Sequence, residues 1–166
     1  MNTFQKINIK IQNWQQIEAT VDHWKNDHQT IVFTNGCFDL LHYGHIHYLA
    51  DAKDCGDKLI IGLNSTASVA RLKGAHRPIN DELTRQHLLA ALDFVDAVVA
   101  FETDTPLALI KLVMPDILVK GGDWQPHQIV GSTEVLANGG EVKSLPFVEG
   151  YSTTNIEAKI GRHFGK

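Results

Sequence analysis

An α/β fold is predicted for this chain: a Rossmann-like, doubly wound parallel sheet of five strands with helices on both faces. From Thr30 onward, short runs rich in Val, Ile, Leu and Phe alternate with longer segments of helical periodicity. Most of the short runs are continuously apolar, which is typical of parallel strands covered on both faces. The predicted strands are 30–34, 58–64, 96–101, 117–120 and 141–145.

Helices are predicted between and after these strands from the spacing of their apolar residues. In the second helix, Leu83, Leu88 and Leu89 are assigned to the face that contacts the core. Gly56 and Pro115 supply stops for the first and third helices. The four predicted helices are 43–55, 81–92, 105–114 and 153–163.

A further short helix is predicted ahead of the sheet, at 14–24, where Ile17 and Val21 recur on one face. We therefore expect residues 1–28 to form a helical extension packed on one domain that spans residues 29–166. A chain of 166 residues is long enough for a single core of this kind.

Charge and composition restrict the partners. The net charge of −4 gives no long-range attraction for nucleic acid, whereas a small phosphorylated molecule needs only a few cations in one cleft. The chain has two cysteines without a CxxC pair, and no run approaches the roughly 20 apolar residues of a membrane span. We expect a cytoplasmic protein with neither nucleic acid nor membrane as partner.

The most informative motif follows the first predicted strand and contains two histidines three residues apart, His42 and His45. At the start of a helix this spacing gives about 4.5 Å of rise and an offset of roughly 60°, so both rings can face one ligand. The helix N-terminus adds unpaired N–H groups and a positive dipole end. Asn35 and Gly36 form a permissive turn whose N–H groups can point at phosphate. This combination favours a polyphosphate site.

A metal site is the competing interpretation of this motif, with Asp39, His42, His45 and His47 as ligands. Asp39 has other possible roles, because it can also hold the loop or cap the helix region. The sequence leaves these alternatives open.

Two further loops carry unusual residues. Lys120-Gly121-Gly122-Asp123-Trp124 follows the fourth strand, where lysine supplies a point charge for phosphate and Asp123 can bind a hydroxyl or a metal. The segment 149–156 leads into the last helix, where Ser152 or Thr153 can cap the helix, receive phosphate oxygens, or do both. Ligands of doubly wound sheets collect beyond the carboxyl ends of the strands, so we expect these loops to meet there.

A basic segment, 71–78, lies between the second strand and the second predicted helix. It is interpreted either as a flexible loop that closes over phosphates or as an ordinary solvated loop. Arg85, early in the next helix, is interpreted in a similar way, as a phosphate contact or as part of a surface ion pair.

Together, the His-x-Gly-His, Lys-Gly-Gly-Asp-Trp and Gly-Tyr-Ser-Thr-Thr-Asn-Ile runs resemble the cytidylyltransferase-like branch of the nucleotidyltransferase superfamily over about residues 29–160. Within this branch, the chain is similar to adenylyltransferase domains that activate D-glycero-β-D-manno-heptose 1-phosphate with ATP. The resemblance implies catalytic roles for His42, His45 and Lys73, and contacts of Arg77 and Arg85 with the substrate phosphate. It implies a nucleotide site formed by Thr34, Asn35, Gly36, Cys37, Phe38, His42, His45, Lys120, Gly121, Asp123, Ser152, Thr153 and Thr154.

The resemblance also implies the reaction and its partners. ATP and a sugar 1-phosphate would yield ADP-heptose, a lipopolysaccharide core precursor, and pyrophosphate. Mg²⁺ would enter with ATP, without a dedicated protein site but with Asp39 or Asp123 as candidate ligands. A homodimer is expected, and a separate kinase would make the sugar phosphate, because in bifunctional relatives the adenylyltransferase half follows a sugar kinase half.

Two alternatives to the adenylyltransferase are considered. A cytidylyltransferase acting on glycerol 3-phosphate or a similar small alcohol phosphate shares two of the motifs. Related glycerol-phosphate enzymes, however, have arginine where this chain has Phe147, which argues against CTP. The other alternative is a nucleotide-sensing protein that kept the fold and lost turnover.

Overall fold

The computed structural model describes residues 1–164 and contains a sheet of five parallel strands. The predicted fold class is therefore confirmed. The first and last residues of each predicted strand lie within two residues of those observed. The strands are β1 (Ile31–Gly36), β2 (Lys58–Asn64), β3 (Ala97–Phe101), β4 (Ile117–Gly121) and β5 (Glu141–Leu145).

The winding of the sheet reverses at its centre. The strand order is β3-β2-β1-β4-β5, so the chain moves outward on one side of β1 and then returns to fill the other side. Val32 aligns with Ile117 and Phe33 with Leu118 across the β1–β4 pair. In such sheets a crevice opens beyond the carboxyl ends of the strands at this reversal, which is where ligands bind.

The five predicted helices are present, and three short ones were not predicted. The unpredicted helices α1, α4 and α7 have six to eight residues each, too short for apolar periodicity to be visible in the sequence. The helices are α1 (Thr3–Asn8), α2 (Trp14–Asn26), α3 (Tyr43–Lys53), α4 (Thr66–Lys73), α5 (Glu82–Ala90), α6 (Leu107–Val113), α7 (Ser132–Ala137) and α8 (Thr153–Phe164), with a 3₁₀ turn at Pro126–Gln128.

The structure corrects the interpretation of 71–78 as a loop. Arg71 and Lys73 lie in the last turn of α4, and only the part after Gly74 is irregular. Ser65 begins this helix, because its hydroxyl accepts a hydrogen bond from the N–H of Ser68 at 3.1 Å. Lys73 is therefore held on a helix rather than on a flexible loop.

The apolar face predicted for α5 was also partly wrong. Leu83 and Leu88 are exposed, whereas Arg85 and Leu89, one turn apart, are fully buried. The helix turns a charged side chain inward because backbone carbonyls surround it, and this cannot be read from hydrophobic periodicity.

The core consists of two clusters, one on each face of the sheet. The first includes Ile17 and Val21 of α2 packed with Phe33 of β1, and the second includes Leu49 of α3 packed with Ile61 of β2. The N-terminal residues thus contribute buried side chains to the core of the sheet.

Residues 10–12 lie along the outer edge of β3. The N–H of Val98 donates to the carbonyl of Lys10 at 2.8 Å, and the N–H of Gln12 donates to the carbonyl of Val98 at 3.0 Å. The Trp14 indole donates to the carbonyl of Ala100 at 3.0 Å. The segment therefore covers an edge that would otherwise present unpaired backbone groups.

Within the described part of the chain, no helix combines the length and the apolar character needed to cross a membrane.

Candidate active site

A cleft opens at the carboxyl ends of β1 and β4, at the predicted edge of the sheet. It consists of two adjoining cavities of about 190 and 410 Å³ that share four lining residues: Asn35, Gly36, Cys37 and Lys120. The smaller cavity is also lined by Thr153 at the start of α8. The three loops that the sequence singled out are therefore brought together in one place.

His42 and His45 form a stacked pair at the beginning of α3. Their ring centroids are 3.8 Å apart with an interplanar angle of 19°, and Phe38 contacts His45 edge-on with a centroid distance of 5.2 Å. His42 occupies the N-cap position, with Nδ1 3.4 Å from the N–H of His45. Both imidazoles thus lie at the helix N-terminus, where anions are favoured.

Both histidines are neutral at pH 7 in this environment. Burial, together with the neighbouring His42 and Lys73, lowers the pKa of His45 to about 4. Burial also lowers the pKa of His42. The Nδ1 atom of His45 is buried and has no hydrogen-bond partner among the described residues. A polar atom left in this state is costly unless a ligand or water satisfies it, as is common in binding sites.

Two lysines line the smaller cavity. Lys120, at the end of β4, lies 3.3 Å from the side-chain oxygen of Asn35, and burial lowers the pKa of its amine. Lys73 reaches the cavity from the last turn of α4. The cavity therefore combines the His45 imidazole, on which His42 is stacked, with two ammonium groups, a set suited to phosphate.

Two glycines at the site allow close approach of neighbouring side chains. A Cβ on Gly121 would lie 2.6 Å from the Phe147 ring, and one on Gly44 would lie 3.1 Å from the Cβ of Tyr151. Gly44 thus allows the loop before α8 to pack on α3.

The start of α8 combines a cap with a site contact. The Ser152 hydroxyl accepts from the N–H of Asn155 at 3.1 Å, so Ser152 has the capping role that the sequence offered as one alternative. Thr153 lines the smaller cavity, and Thr154 is exposed.

Thr34 and Cys37 have different positions relative to the cleft. Thr34 is fully buried and its hydroxyl lies 2.5 Å from that of Tyr48. It therefore contacts a protein group beneath the cleft and does not face a ligand. Cys37 lines both cavities, and burial raises the pKa of its thiol, which keeps it protonated at pH 7.

The two predicted phosphate-binding arginines contact protein groups instead. Arg85 is fully buried, and its guanidinium donates to the carbonyls of Asn80 at 3.1 Å, Cys37 at 2.9 Å and Asn64 at 2.7 Å. The prediction that Arg85 contacts substrate phosphate is therefore wrong for this structure. Arg77 lies between the carboxylates of Asp39 and Glu157.

Asp39 is not available as a metal ligand. One carboxylate oxygen accepts from the N–H groups of Ile79 at 2.8 Å and Asn80 at 3.0 Å, and the other accepts from Arg77 at 2.9 Å. Burial raises the pKa of Asp39, but these hydrogen bonds outweigh it and hold the pKa below its ordinary value. The described residues contain no cluster of three potential ligands, so the metal interpretation of the Asp39–His47 segment is not supported.

The larger cavity contains residues that sequence reasoning missed. Its wall combines polar groups with apolar side chains, which suits a polyhydroxylated ring or a nucleoside. Asn64 is the last residue of β2, and Asp104 lies shortly after β3. Both could have been found from the tendency of ligands to bind at the carboxyl ends of parallel strands. The residues beyond the shared four are Asn64, Leu72, Asp104, Thr105, Pro106, Trp124, Gln128, Ile129 and Val130.

A model of the "Cytidylyltransferase-like" family matches residues 33–159, most of the chain. The chain belongs to this family. The prediction of a nucleotidyltransferase domain is thereby confirmed.

Relatives with closely similar sequences are bifunctional proteins. The chain is 53% identical over 157 residues to "Bifunctional protein HldE" of Geobacter metallireducens, an alignment that covers 95% of this chain and 32% of that protein. It is 56% identical over 142 residues to the HldE protein of Pectobacterium carotovorum, covering 86% of this chain and 30% of the relative. The chain thus spans about a third of the length of these relatives.

Solved structures with the same fold include a lipopolysaccharide core biosynthesis protein from Thermoplasma volcanium. It is 30% identical, with a TM-score of 0.60, and the match covers 75% of this chain and 99% of that one. A pantoate-β-alanine ligase from Francisella tularensis is 19% identical with a TM-score of 0.58, covering 90% of this chain and 76% of the ligase, and shows the shared fold alone.

Proposed function

We propose that this domain transfers AMP from ATP to a sugar 1-phosphate, D-glycero-β-D-manno-heptose 1-phosphate, giving ADP-heptose and pyrophosphate. The observation that carries the proposal is the smaller cavity, which is lined by His45, Lys73, Lys120 and Thr153, with His42 stacked on His45. More than 50% identity to proteins named HldE supports the choice of a heptose phosphate as acceptor.

The triphosphate would occupy the smaller cavity. A phosphate monoester has a second pKa near about 6, so at neutral pH the attacking sugar phosphate is already largely a dianion and needs no general base. Its oxygen attacks the α-phosphorus of ATP, the bond to the bridging α–β oxygen breaks, and pyrophosphate leaves. Catalysis then consists of aligning two anions and neutralising charge on the leaving group.

The two histidines would stabilise that leaving group. Their burial keeps the imidazoles neutral in the absence of an anion, and the negative charge of a triphosphate favours the protonated form of each ring. Lys73 and Lys120, which line the same cavity, add point charges.

The larger cavity would hold the sugar. Lys120 lies at the junction of the two cavities, where the sugar phosphate must meet the triphosphate. Beyond that junction, polar groups such as Asn64 and Asp104 offer hydrogen bonds to hydroxyl groups, and Trp124 offers a flat apolar surface.

Mg²⁺ would enter with ATP, bound mainly by phosphate oxygens, and would withdraw charge from the phosphoryl groups. Asp123, which is exposed on the loop after β4, is the predicted carboxylate ligand that the structure leaves suitable for it. We further propose a cytoplasmic homodimer that uses a sugar phosphate made by a sugar kinase.

The deciding experiment measures pyrophosphate release for ATP and CTP, each with heptose 1-phosphate, glucose 1-phosphate and glycerol 3-phosphate. The expected result is turnover with ATP and the heptose 1-phosphate at least about tenfold above every other pair. Preferred turnover of CTP with glycerol 3-phosphate would establish the cytidylyltransferase alternative instead. ATP binding without pyrophosphate release from any pair would identify a nucleotide sensor.

A further inference from the structure

Arg77 connects two elements of the candidate active site. One guanidinium nitrogen donates to a carboxylate oxygen of Asp39 at 2.9 Å, and the other donates to the carboxylate of Glu157 on α8. The Arg77 side chain is 12% exposed and that of Asp39 only 2% exposed. Because the ion pair with Asp39 is shielded from water, it is stronger than an ordinary surface pair.

The Asp39 end of this connection is rigid. Besides Arg77, Asp39 binds the N–H groups of Ile79 and Asn80, and the Asn80 side chain donates to the Asp39 carbonyl at 2.8 Å. The segment that follows α4 and the turn that leads to His42 therefore form one hydrogen-bonded unit.

The α8 end is held less firmly by packing. Among the described side chains, none on α8 is fully buried, so few apolar contacts fix this helix to the domain. Its first turn nevertheless contributes Thr153 to the smaller cavity. Two contacts flank that turn: before it, the Tyr151 ring packs on Tyr43 of α3 with a centroid distance of 4.9 Å, and after it, Glu157 pairs with Arg77.

We propose that Arg77 and Glu157 are positioning residues: they hold the first turn of α8 at the correct distance from the His42–His45 pair, so that both contact one triphosphate. This inference rests on the proposed function for its ligand. It differs from the role that the resemblance implied for Arg77, which is contact with the phosphate of the sugar substrate. That role would require the guanidinium to leave Glu157.

The two roles predict opposite effects of removing Glu157. If Arg77 positions α8, Glu157→Ala loosens the helix and weakens ATP binding, with little change in the KM for the sugar phosphate. If Arg77 binds the sugar phosphate, Glu157→Ala removes a competing carboxylate and lowers that KM.

The test uses the full chain and the variants Glu157→Ala, Arg77→Ala and the double variant, with Lys159→Ala as a control for a charge removed from the same helix. ATP affinity is measured by calorimetry in the presence of Mg²⁺. We expect each single variant to bind ATP about tenfold more weakly, and the double variant to be no weaker than Arg77→Ala, because the two side chains act through one another. Lys159→Ala should bind as the unmodified chain does.

Amide hydrogen exchange tests the same inference without any ligand. We expect Glu157→Ala to reduce protection of the α8 amides about tenfold while the amides of α3 and α5 keep theirs. Unchanged α8 protection, unchanged ATP affinity, or a lower KM for the sugar phosphate in Glu157→Ala would each overturn the positioning role. Failure of the proposed function would appear differently, as an unmodified chain that releases no pyrophosphate while α8 still loosens in the variant.

Discussion

The turn after β1 and the segment from α4 to α5 both carry the polar residues that point to phosphate chemistry, yet the structure uses them differently. From the end of β1 through this turn to the start of α3, residues such as Asn35, Cys37 and His45 line the cleft. In the second segment, Arg77 and Arg85 are directed at protein groups.

The difference between lysine and arginine explains much of this contrast. Arg71, Arg77 and Arg85 each bind two or more protein acceptors, as suits a planar guanidinium with five donors. The cations that line the cavity are Lys73 and Lys120, whose compact ammonium groups can approach a phosphate as point charges. The role of a basic residue near a phosphate site therefore has to be inferred from its hydrogen-bond partners and not from its charge alone.

The sharpest test of this contrast is Arg85→Met. This substitution should lower the stability of the fold rather than remove a contact with a ligand. The substitution leaves carbonyls of Cys37, Asn64 and Asn80 without their buried donor, which should lower the free energy of unfolding by about 3 kcal/mol. Urea denaturation measures the loss. Arg162→Met, the same change on the exposed face of α8, should cost less than about 0.5 kcal/mol.

His45→Ala tests the turn after β1. Removing one donor to the leaving group should lower turnover about 100-fold, because such donors act mainly in the transition state. Steady-state pyrophosphate release measures the effect. The variant should keep its thermal stability, and a turnover near that of the unmodified enzyme would show that His45 does not contact the reacting phosphates.

A matched pair of substitutions on α4 compares a cation that faces the cavity with one that faces protein. Lys73→Ala should reduce kcat/KM about tenfold, since it removes a charge beside the phosphates. Arg71→Ala, two residues earlier, breaks an exposed ion pair with Asp104 and should change stability by less than about 1 kcal/mol. Equal kinetic losses in the two variants would contradict the assignment.

The smallest expected effect is on the pH dependence of stability. The pKa of His45 is about 4 in the folded chain and 6.5 in its ordinary state, so the unfolded chain takes up the proton first. The contribution of neutral His45 is complete above pH 6.5 and is lost as the pH falls towards 4. We expect the Tm of the unmodified chain to fall by about 3 °C more than that of His45→Gln between pH 7 and pH 5. Parallel Tm curves for the two proteins would mean that His45 is not buried as described.

Much of the fold could be predicted because continuous apolar runs mark buried parallel strands. The short helices α1, α4 and α7 could not, since one or two turns do not establish a period. The inward orientation of Arg85 could not be predicted from the sequence either. Its partners are backbone carbonyls, which every residue has, so no particular residue type marks them.

The candidate site shows the same division. Ligands bind beyond the carboxyl ends of parallel strands, so the loops after β1 and β4 could be expected to meet the start of α8 there. The structure brings them together at this place. Which side chains line the cleft depends on details such as the Thr34–Tyr48 contact, which no spacing in the sequence encodes.

The pairing of residues 10–12 with Val98 has a consequence for engineering. A shortened variant that begins after residue 12 would leave the outer side of β3 bare. Exposed strand edges recruit further strands from other molecules. Such a variant would tend to aggregate, so fusions intended to join this domain to another protein should retain the whole N-terminal segment.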